Sequence, residues 1–208
     1  MNNSMDLKTL EKNVWRSFHQ DGLWDIYLGL LLWDLALILG SGLAWLENDW
    51  LRLLAYLVLI SGAFLLFRAG KRYITAPRLG RVKFGPARKR RKLHLALILS
   101  GFILVTVVLV ILTATAKNNN ASLPPGLPVF FFMGLFVGAS IVTIAWFNDY
   151  PRGYYIAVIY ALCFGLVETL DNFAIFWIGG LLVMAPGVNL FVRFLNEHPK
   201  PAAESENG

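Results

Sequence analysis

The sequence predicts an all-α fold, a polytopic bundle of six transmembrane helices, and three observations predict it. Apolar residues make up 57% of the 208 residues and charged residues only 15%, against about 45–50% and about 25% in soluble domains. The mean hydropathy is +0.57. The apolar residues come in blocks of roughly 20 with few or no charges, which is the length of helix that crosses the hydrocarbon core of a bilayer.

The transmembrane domain is predicted over residues 23–195. Residues 68–92 form a long second connection, and residues 116–128 form a third one whose Pro and Gly residues cannot continue a helix. The last two spans are short, and Glu168 and Asp171 in the middle of this stretch are expected at a polar hairpin tip. The six predicted spans are Trp24–Leu46, Leu51–Phe67, Leu93–Thr115, Val129–Phe147, Tyr154–Leu170 and Phe173–Val192.

The two ends of the chain are predicted to lie outside the spans. In residues 1–22, Leu10, Val14 and Phe18 recur at helical spacing with charged residues on the other sides, which predicts an amphipathic helix. Such a helix either lies flat on the inner leaflet or packs on the protein's own cytoplasmic loop, and the pattern leaves both open. Residues 196–208 contain few apolar side chains and predict a disordered tail.

The distribution of Lys and Arg predicts the orientation in the membrane. With the N-terminus inside, seventeen of the 19 Lys and Arg residues lie on the inner side, and only Arg52 and Lys117 lie outside. Cytoplasmic segments of membrane proteins carry the excess of Lys and Arg. The sequence therefore predicts a multi-pass protein of the cell membrane, inner or plasma, with both termini in the cytoplasm.

The connection of residues 68–92 carries eleven Lys and Arg residues and no acidic residue. Its simplest role is to set the topology. A role in contacting anionic lipid or a partner protein is the alternative, since each cation near an anionic leaflet contributes about 1 kcal/mol. Nucleic acid is not an expected partner, because no folded reading module accompanies the charge. The residues predicted for the lipid or partner contact are Arg78, Arg81, Lys83, Arg88, Lys89, Arg90, Arg91 and Lys92.

Three short motifs carry a resemblance to a known type of protein. They are Asp21-Gly22-Leu23-Trp24-Asp25-Ile26, Ala76-Pro77-Arg78-Leu79-Gly80-Arg81-Val82-Lys83-Phe84 and Arg193-Phe194-Leu195-Asn196-Glu197-His198-Pro199. With them the chain resembles a family of prokaryotic multi-span integral membrane proteins that have a Pro-Arg-x-Gly basic cytoplasmic loop. The resemblance implies a bacterial or archaeal origin and no particular activity.

The sequence contains none of the common catalytic or cofactor signatures. The phosphate-binding loop, the H-E-x-x-H zinc motif and the G-x-S-x-G nucleophile motif are all absent from it. The three histidines fall outside the apolar interior of the spans, and Cys163 is the single cysteine, so no cysteine-based zinc cluster can form. We therefore predict a non-enzymatic protein without cofactor or metal.

Asp34 is the acid that the sequence puts nearest the centre of a span. An ionised carboxylate there costs about 2.5–3.5 kcal/mol, and no cation lies at its depth. Two interpretations stay open: Asp34 is protonated and hydrogen-bonded to Ser61, Thr106, Thr143 or Tyr160, or it binds a proton or cation on a wet path. Together with Glu168 and Asp171, it forms the predicted proton or cation site.

Two further patterns concern the packing of helices. Gly134-x-x-x-Gly138 has the spacing that lets two helices approach closely, within the chain or across a homo-oligomer. Pro186 should bend or interrupt the last span. Two functions follow from the sequence: an accessory or regulatory component that contacts lipid or a membrane partner, or a small carrier or channel for protons or cations.

Overall fold

The structure is a computed structural model, and it describes residues 21–40, 48–79, 86–118 and 129–199. Every regular element in these ranges is helical, and the described residues form no β-strand, which confirms the all-α prediction. The elements are α1 (Leu23–Leu39), α2 (Asp49–Ala69), a π-helical segment (Gly70–Thr75), α3 (Ala76–Leu79), α4 (Pro86–Asn118), α5 (Val129–Phe147), α6 (Arg152–Leu170) and α7 (Ala174–Glu197).

Local sequence explains where the first helices begin. Asp21 accepts a hydrogen bond from the backbone N–H of Leu23, and Gly22 adopts a left-handed conformation with φ 78° that only glycine adopts without strain. Asn48 caps α2 by accepting a bond of 3.0 Å from the N–H of Trp50. The predicted amphipathic helix falls almost wholly in residues 1–20, which lie outside the described part of the chain. Residues 41–47, which contain the end of the first predicted span and the start of the turn after it, also lie outside that part.

The predicted long connection differs from the structure. The helix does not end near Phe67 but continues through the π-helical segment to Leu79, and α4 starts at Pro86, ahead of the predicted span. The described part of residues 68–92 is therefore helical rather than an irregular loop, and its Lys and Arg residues are good helix formers. Residues 80–85 lie outside the described part.

The second half of the chain matches the predicted elements more closely. α5 has the predicted bounds, and α6 ends at Leu170 as predicted. Asp171 closes α6 in a left-handed conformation, and Asn172 accepts a hydrogen bond from the N–H of Ala174 at the start of α7, which makes the polar hairpin tip. α7 runs unbroken through Pro186 to Glu197, so the first two residues of the predicted tail are helical.

Four helical stretches are long and apolar enough to cross a membrane: Asp49–Arg78, α5, α6 and α7. Only 6% of the apolar window of Asp49–Arg78 is buried within the protein, so most of its surface needs lipid or another chain. α1 has 17 residues, and the apolar part described for α4, Leu93–Val108, is also shorter. The chain is a membrane protein by helix length and composition, while the count of six spans stays a prediction.

The chain divides into two compact units. The first comprises residues 1–84 and 176–208, and the described helices within it are α1, α2, α3 and nearly all of α7. Its apolar core includes Leu32 and Ala36 of α1 with Phe176 and Val183 of α7, all fully buried. α1 packs along α2 in the same unit.

The second unit comprises residues 85–175, with α4, α5 and α6. Its tightest pairing is between α5 and α6, which are joined by a short turn at Asn148–Pro151. Ile156 and Phe164 of α6 are buried in its core. The outward faces carry exposed apolar side chains, among them Ile103 and Leu104 of α4, as expected for helices surrounded by lipid.

Candidate functional site

The first unit is built on a glycine contact between α1 and α7. A methyl group on Gly22 would lie 2.2 Å from the Gly187 carbonyl oxygen, and one on Gly29 would lie 2.8 Å from the Gly180 carbonyl oxygen. Both distances are too short for a side chain. Glycine at these four positions therefore lets the two backbones touch, and the order of the pairs makes the helices antiparallel.

Two tryptophans extend the contact between α1 and α7 beyond the glycine pairs. The Trp33 indole N–H donates a hydrogen bond of 3.0 Å to the carbonyl oxygen of Trp177, and the two rings lie 5.3 Å apart. The indole donor of Trp33 is thereby satisfied away from water. This bond fixes the register of α1 against α7 at one end, as the glycine pair Gly22 and Gly187 does at the other.

A buried polar cluster lies where α1 begins. The Lys71 ammonium donates to both carboxylate oxygens of Asp21, at 2.9 and 2.8 Å, and the Thr75 hydroxyl donates to the second oxygen at 2.6 Å. Asp21 and Thr75 are 0% exposed and Lys71 8%. With the N–H of Leu23, the Asp21 carboxylate accepts four hydrogen bonds, which compensates for burying its charge.

The π-helical segment brings the two donors of this cluster together. Within it the N–H of Ala76 bonds the carbonyl oxygen of Lys71, five residues earlier. Lys71 and Thr75 are four residues apart, and both side chains reach the one carboxylate of Asp21. A π-turn inside an α-helix is uncommon and often marks a functional position.

α1 carries two more buried acids, on its opposite sides. Asp25 faces α7, since a methyl group on Gly187 would lie 2.7 Å from its Cβ. Asp34 is 3% exposed, and neither of its carboxyl oxygens has a hydrogen-bond partner among the residues that the structure describes. A buried carboxyl without a partner is unusual, because the desolvation is not compensated.

Three of the four hydrogen-bond partners that the sequence suggested for Asp34 donate to other groups. Ser61, Thr106 and Thr143 each donate to a carbonyl oxygen of their own helix, and none of the described bonds joins Tyr160 to Asp34. The interpretation of Asp34 as a hydrogen-bonded link between helices therefore has no partner among the described residues.

A cavity of about 340 Å³ lies beside the polar cluster, within the first unit. Its lining is apolar, from Tyr73 and Gly70 at one end to Ala63 and Leu30 at the other. Phe67 belongs to both features, because its ring lines the cavity and lies 5.8 Å from the Lys71 ammonium. The remaining lining residues are Leu23, Ile26, Tyr27, Leu66, Ala69, Ile74 and Phe191.

The other two acids of the predicted proton or cation site lie at a helix turn. The Glu168 carboxylate accepts a hydrogen bond of 2.7 Å from the N–H of Phe130, at the start of α5. Asp171 is exposed at the end of α6. Both belong to the second unit, whereas Asp34 belongs to the first. Glu168 acts as a helix cap, which is a structural role for an acid.

The predicted lipid or partner contact is only partly described. Arg78 is half-buried, and its guanidinium donates to the carbonyl oxygen of Ile74 at 3.3 Å. Arg81 and Lys83 lie outside the described residues. The other predicted cations belong to the backbone of α4, and the structure does not describe their side chains. They are Arg88, Lys89, Arg90, Arg91 and Lys92.

The packing glycines predicted in the fourth span lie in the contact between α5 and α6. A methyl group on Gly134 would lie 2.6 Å from the Phe164 Cβ, and one on Gly138 would lie 3.3 Å from the Ala157 carbonyl oxygen. Both glycines therefore pack within the chain.

Sequence reasoning missed two features of the first unit. The sequence places Lys71 among the eleven cations of the basic connection and gives no sign that it is buried against Asp21, fifty residues away. The glycine contact had a signal in the sequence, because the α1 glycines and the α7 glycines are each seven residues apart, which is close to two helical turns. Among the described residues no three His, Cys, Asp or Glu side chains are grouped to hold a metal ion.

No protein-family model matches this chain, and neither a curated protein nor a solved structure matches it.

Proposed function

We propose that this protein is a non-enzymatic accessory or regulatory component of a cell membrane that contacts anionic lipid at its cytoplasmic face. The contact is made by the basic segment, defined as residues 68–92. The observation that carries the proposal is the combination of a continuous apolar helix with a cluster of cations at its end, without any acid in the segment itself.

Two aromatic residues of the stretch Asp49–Arg78 support a position of the basic segment at the membrane–water interface. Trp50 and Tyr73 are 82% and 65% exposed, at the two ends of the stretch Asp49–Arg78. They are separated by 23 residues, or about 34 Å along a helix, which fits a hydrocarbon core of about 30 Å with aromatic rings at both interfaces. Arg72, which is exposed and adjacent to Tyr73, then lies at headgroup depth.

The lipid contact is tested by neutralising the cation cluster at the start of α4. Replacing Arg88, Lys89, Arg90, Arg91 and Lys92 by Gln should lower the enrichment of phosphatidylglycerol around the protein, since each charge contributes about 1 kcal/mol to the attraction. The measurement is the ratio of phosphatidylglycerol to phosphatidylcholine copurified from mixed nanodiscs. A variant with Arg88, Arg90 and Arg91 replaced by Lys keeps the charge and should keep the ratio. Equal ratios for all three proteins would refute the proposal.

The orientation is tested separately by cysteine labelling. In a Cys163→Ser background, Asn119→Cys should react with an impermeant maleimide in intact cells, and Gly85→Cys should react only after lysis. Labelling of Gly85→Cys in intact cells would reverse the proposed topology, and the basic segment would then face the wrong leaflet.

Asp34 supports a second candidate function, a proton or cation pathway. Its carboxyl group is buried and has no hydrogen-bond partner among the described residues, which is the state expected of a group that exchanges a proton or binds a cation. Asp34→Asn should abolish pH-driven ion flux in liposomes and leave the fold intact. Glu168→Gln, a matched acid-to-amide change, should keep the flux. Flux that is absent from the wild-type protein, or unchanged in Asp34→Asn, would exclude this function.

A further inference from the structure

The apolar cavity of the first unit has the properties of a ligand site. Its volume of about 340 Å³ falls in the range of about 300–1,000 Å³ that is typical of small-molecule pockets. It is open on the outside, because Leu66 and Tyr73 in its lining are 68% and 65% exposed. An apolar cavity that opens toward the bilayer is filled by hydrocarbon, since water gains no hydrogen bond there.

The long axis of the cavity matches the depth of one leaflet. On the α2 side its lining extends from Ala63 to Tyr73, ten residues and therefore about 15 Å. This is about half of a hydrocarbon core of about 30 Å. Ala63 lies at the deep end, and Tyr73 lies at the end next to the basic segment. A chain that enters beside Tyr73 reaches about the bilayer midplane at Ala63, as one lipid tail does.

A cation lies at the shallow end of the cavity. The Arg72 guanidinium is 5.5 Å from the centre of the Tyr73 ring, which lines the cavity, and the Arg72 side chain is exposed. Lys71 next to it is held by Asp21 and so is not available to a ligand. Arg72 is therefore an exposed cation positioned to bind an anionic group above the apolar space.

We infer that this cavity binds one acyl chain of an anionic phospholipid of the cytoplasmic leaflet, with the lipid phosphate against the Arg72 guanidinium. This inference rests on the proposed lipid contact and makes it specific: one lipid is held in a defined site, and the rest of the basic segment attracts anionic lipid without a pocket. The Asp21–Lys71–Thr75 cluster fixes the π-helical segment that forms the shallow end of the site.

The test is the retention of lipid by the full chain, measured by native mass spectrometry after detergent washing of protein from mixed nanodiscs. The wild-type protein should retain one phosphatidylglycerol in preference to phosphatidylcholine with the same chains. Ala63→Phe fills the deep end of the cavity and should lower the retention about tenfold. Arg72→Gln should lower the preference for phosphatidylglycerol about tenfold and leave phosphatidylcholine binding unchanged.

Two matched controls test whether the loss of lipid is specific to the cavity or follows from any similar change on the protein surface. Ala96→Phe adds the same ring at an exposed position of α4, and Arg193→Gln removes an exposed cation of α7, so both should retain the lipid. If Ala63→Phe does not fold, Leu66→Trp narrows the cavity from a largely exposed position and should give the same loss.

Three outcomes would overturn the inference. Unchanged retention in Ala63→Phe and Leu66→Trp would show that the cavity is not the site. Equal retention of both lipids by the wild-type protein would remove the role of Arg72. A dimer that Ala63→Phe dissociates would identify a second copy of the chain as the occupant. The five-Gln variant of Arg88–Lys92 should keep the retained lipid, so its loss of general enrichment reports on the proposed function alone.

Discussion

The two units use the same packing device and differ in what they bury. In the first, α1 and α7 touch through Gly22, Gly29, Gly180 and Gly187, and in the second, α5 approaches α6 through glycines. All the buried charged and polar residues described, however, lie in the first unit: Asp21, Asp25, Asp34, Lys71 and Thr75. The described acids of the second unit lie at its turns.

This difference between the units shows that close helix packing does not require buried charges. Close glycine contacts are sufficient to join two apolar helices, as α5 and α6 demonstrate without a buried charge in the described part. Burying charges adds a desolvation cost that an apolar pair would avoid. The buried acids of α1 are therefore not needed for helix pairing, and they indicate a role for the first unit beyond packing.

The largest expected effect is the loss of the buried ion pair. Lys71→Met removes the ammonium from Asp21 and leaves a buried carboxylate with two remaining donors, which should cost about 3–5 kcal/mol of stability. The measurement is the free energy of unfolding in mixed micelles with increasing denaturing detergent.

The control for this prediction is the double variant Asp21→Asn with Lys71→Met. The amide keeps an acceptor for Thr75 and removes the unpaired charge, so the double variant should be more stable than Lys71→Met alone. A double variant that is less stable by the sum of both single changes would show that the pair contributes no coupling, and the contrast between the two units would then lose its main support.

A smaller effect is expected at the glycine contacts. Gly180→Ala would bring its methyl group to 2.4 Å from Trp33 and 2.8 Å from the Gly29 backbone, and relieving this overlap should cost about 1–3 kcal/mol. Gly134→Ala in the second unit meets the Phe164 Cβ at 2.6 Å and should cost a similar amount. The measurement is thermal unfolding of each variant in detergent.

Gly62→Ala is the matched control, because its methyl group would meet no atom within 4 Å. It should stabilise the protein by about 0.5–1 kcal/mol, since alanine is the better helix former. If Gly180→Ala and Gly134→Ala behaved like Gly62→Ala, the close contacts would not limit either unit.

The helices of this fold could be predicted from the sequence, and their exact ends could be predicted only in part. The bounds of α5 follow from an apolar run between Pro-Gly residues and an Asn-Asp turn, so local chemistry determines them. The end of α2 does not, because the basic residues after Phe67 favour a helix as well as they favour a solvated loop. The contact of Lys71 with Asp21, which holds the continued helix against the start of α1, joins residues fifty positions apart, so no local pattern encodes it.

A residue of the candidate site could be predicted only where the sequence immediately around it is sufficient to indicate its role. Asp34 stands out by itself, as an acid within an apolar run, and the structure describes it as buried. The partner of Lys71 could not be read from the sequence, because Lys71 is one of eleven similar cations in the basic segment and its acid is distant. The cavity is lined by residues of α1, α2, the π-helical segment and α7, and no spacing within one helix encodes such a space.

The smallest expected effect concerns Glu168, which caps α5 in the second unit. Glu168→Gln keeps an acceptor for the N–H of Phe130 and removes the negative charge from the positive end of the α5 dipole. Because Glu168 is exposed, the cost should be about 0.3–1 kcal/mol, measured as a small decrease in melting temperature. Asp171→Asn is its control, since the amide tolerates the same left-handed backbone, and should leave the melting temperature unchanged. A loss at Glu168 as large as that of Lys71→Met would mean that the second unit also depends on a charge, and the division of roles between the two units would then be wrong.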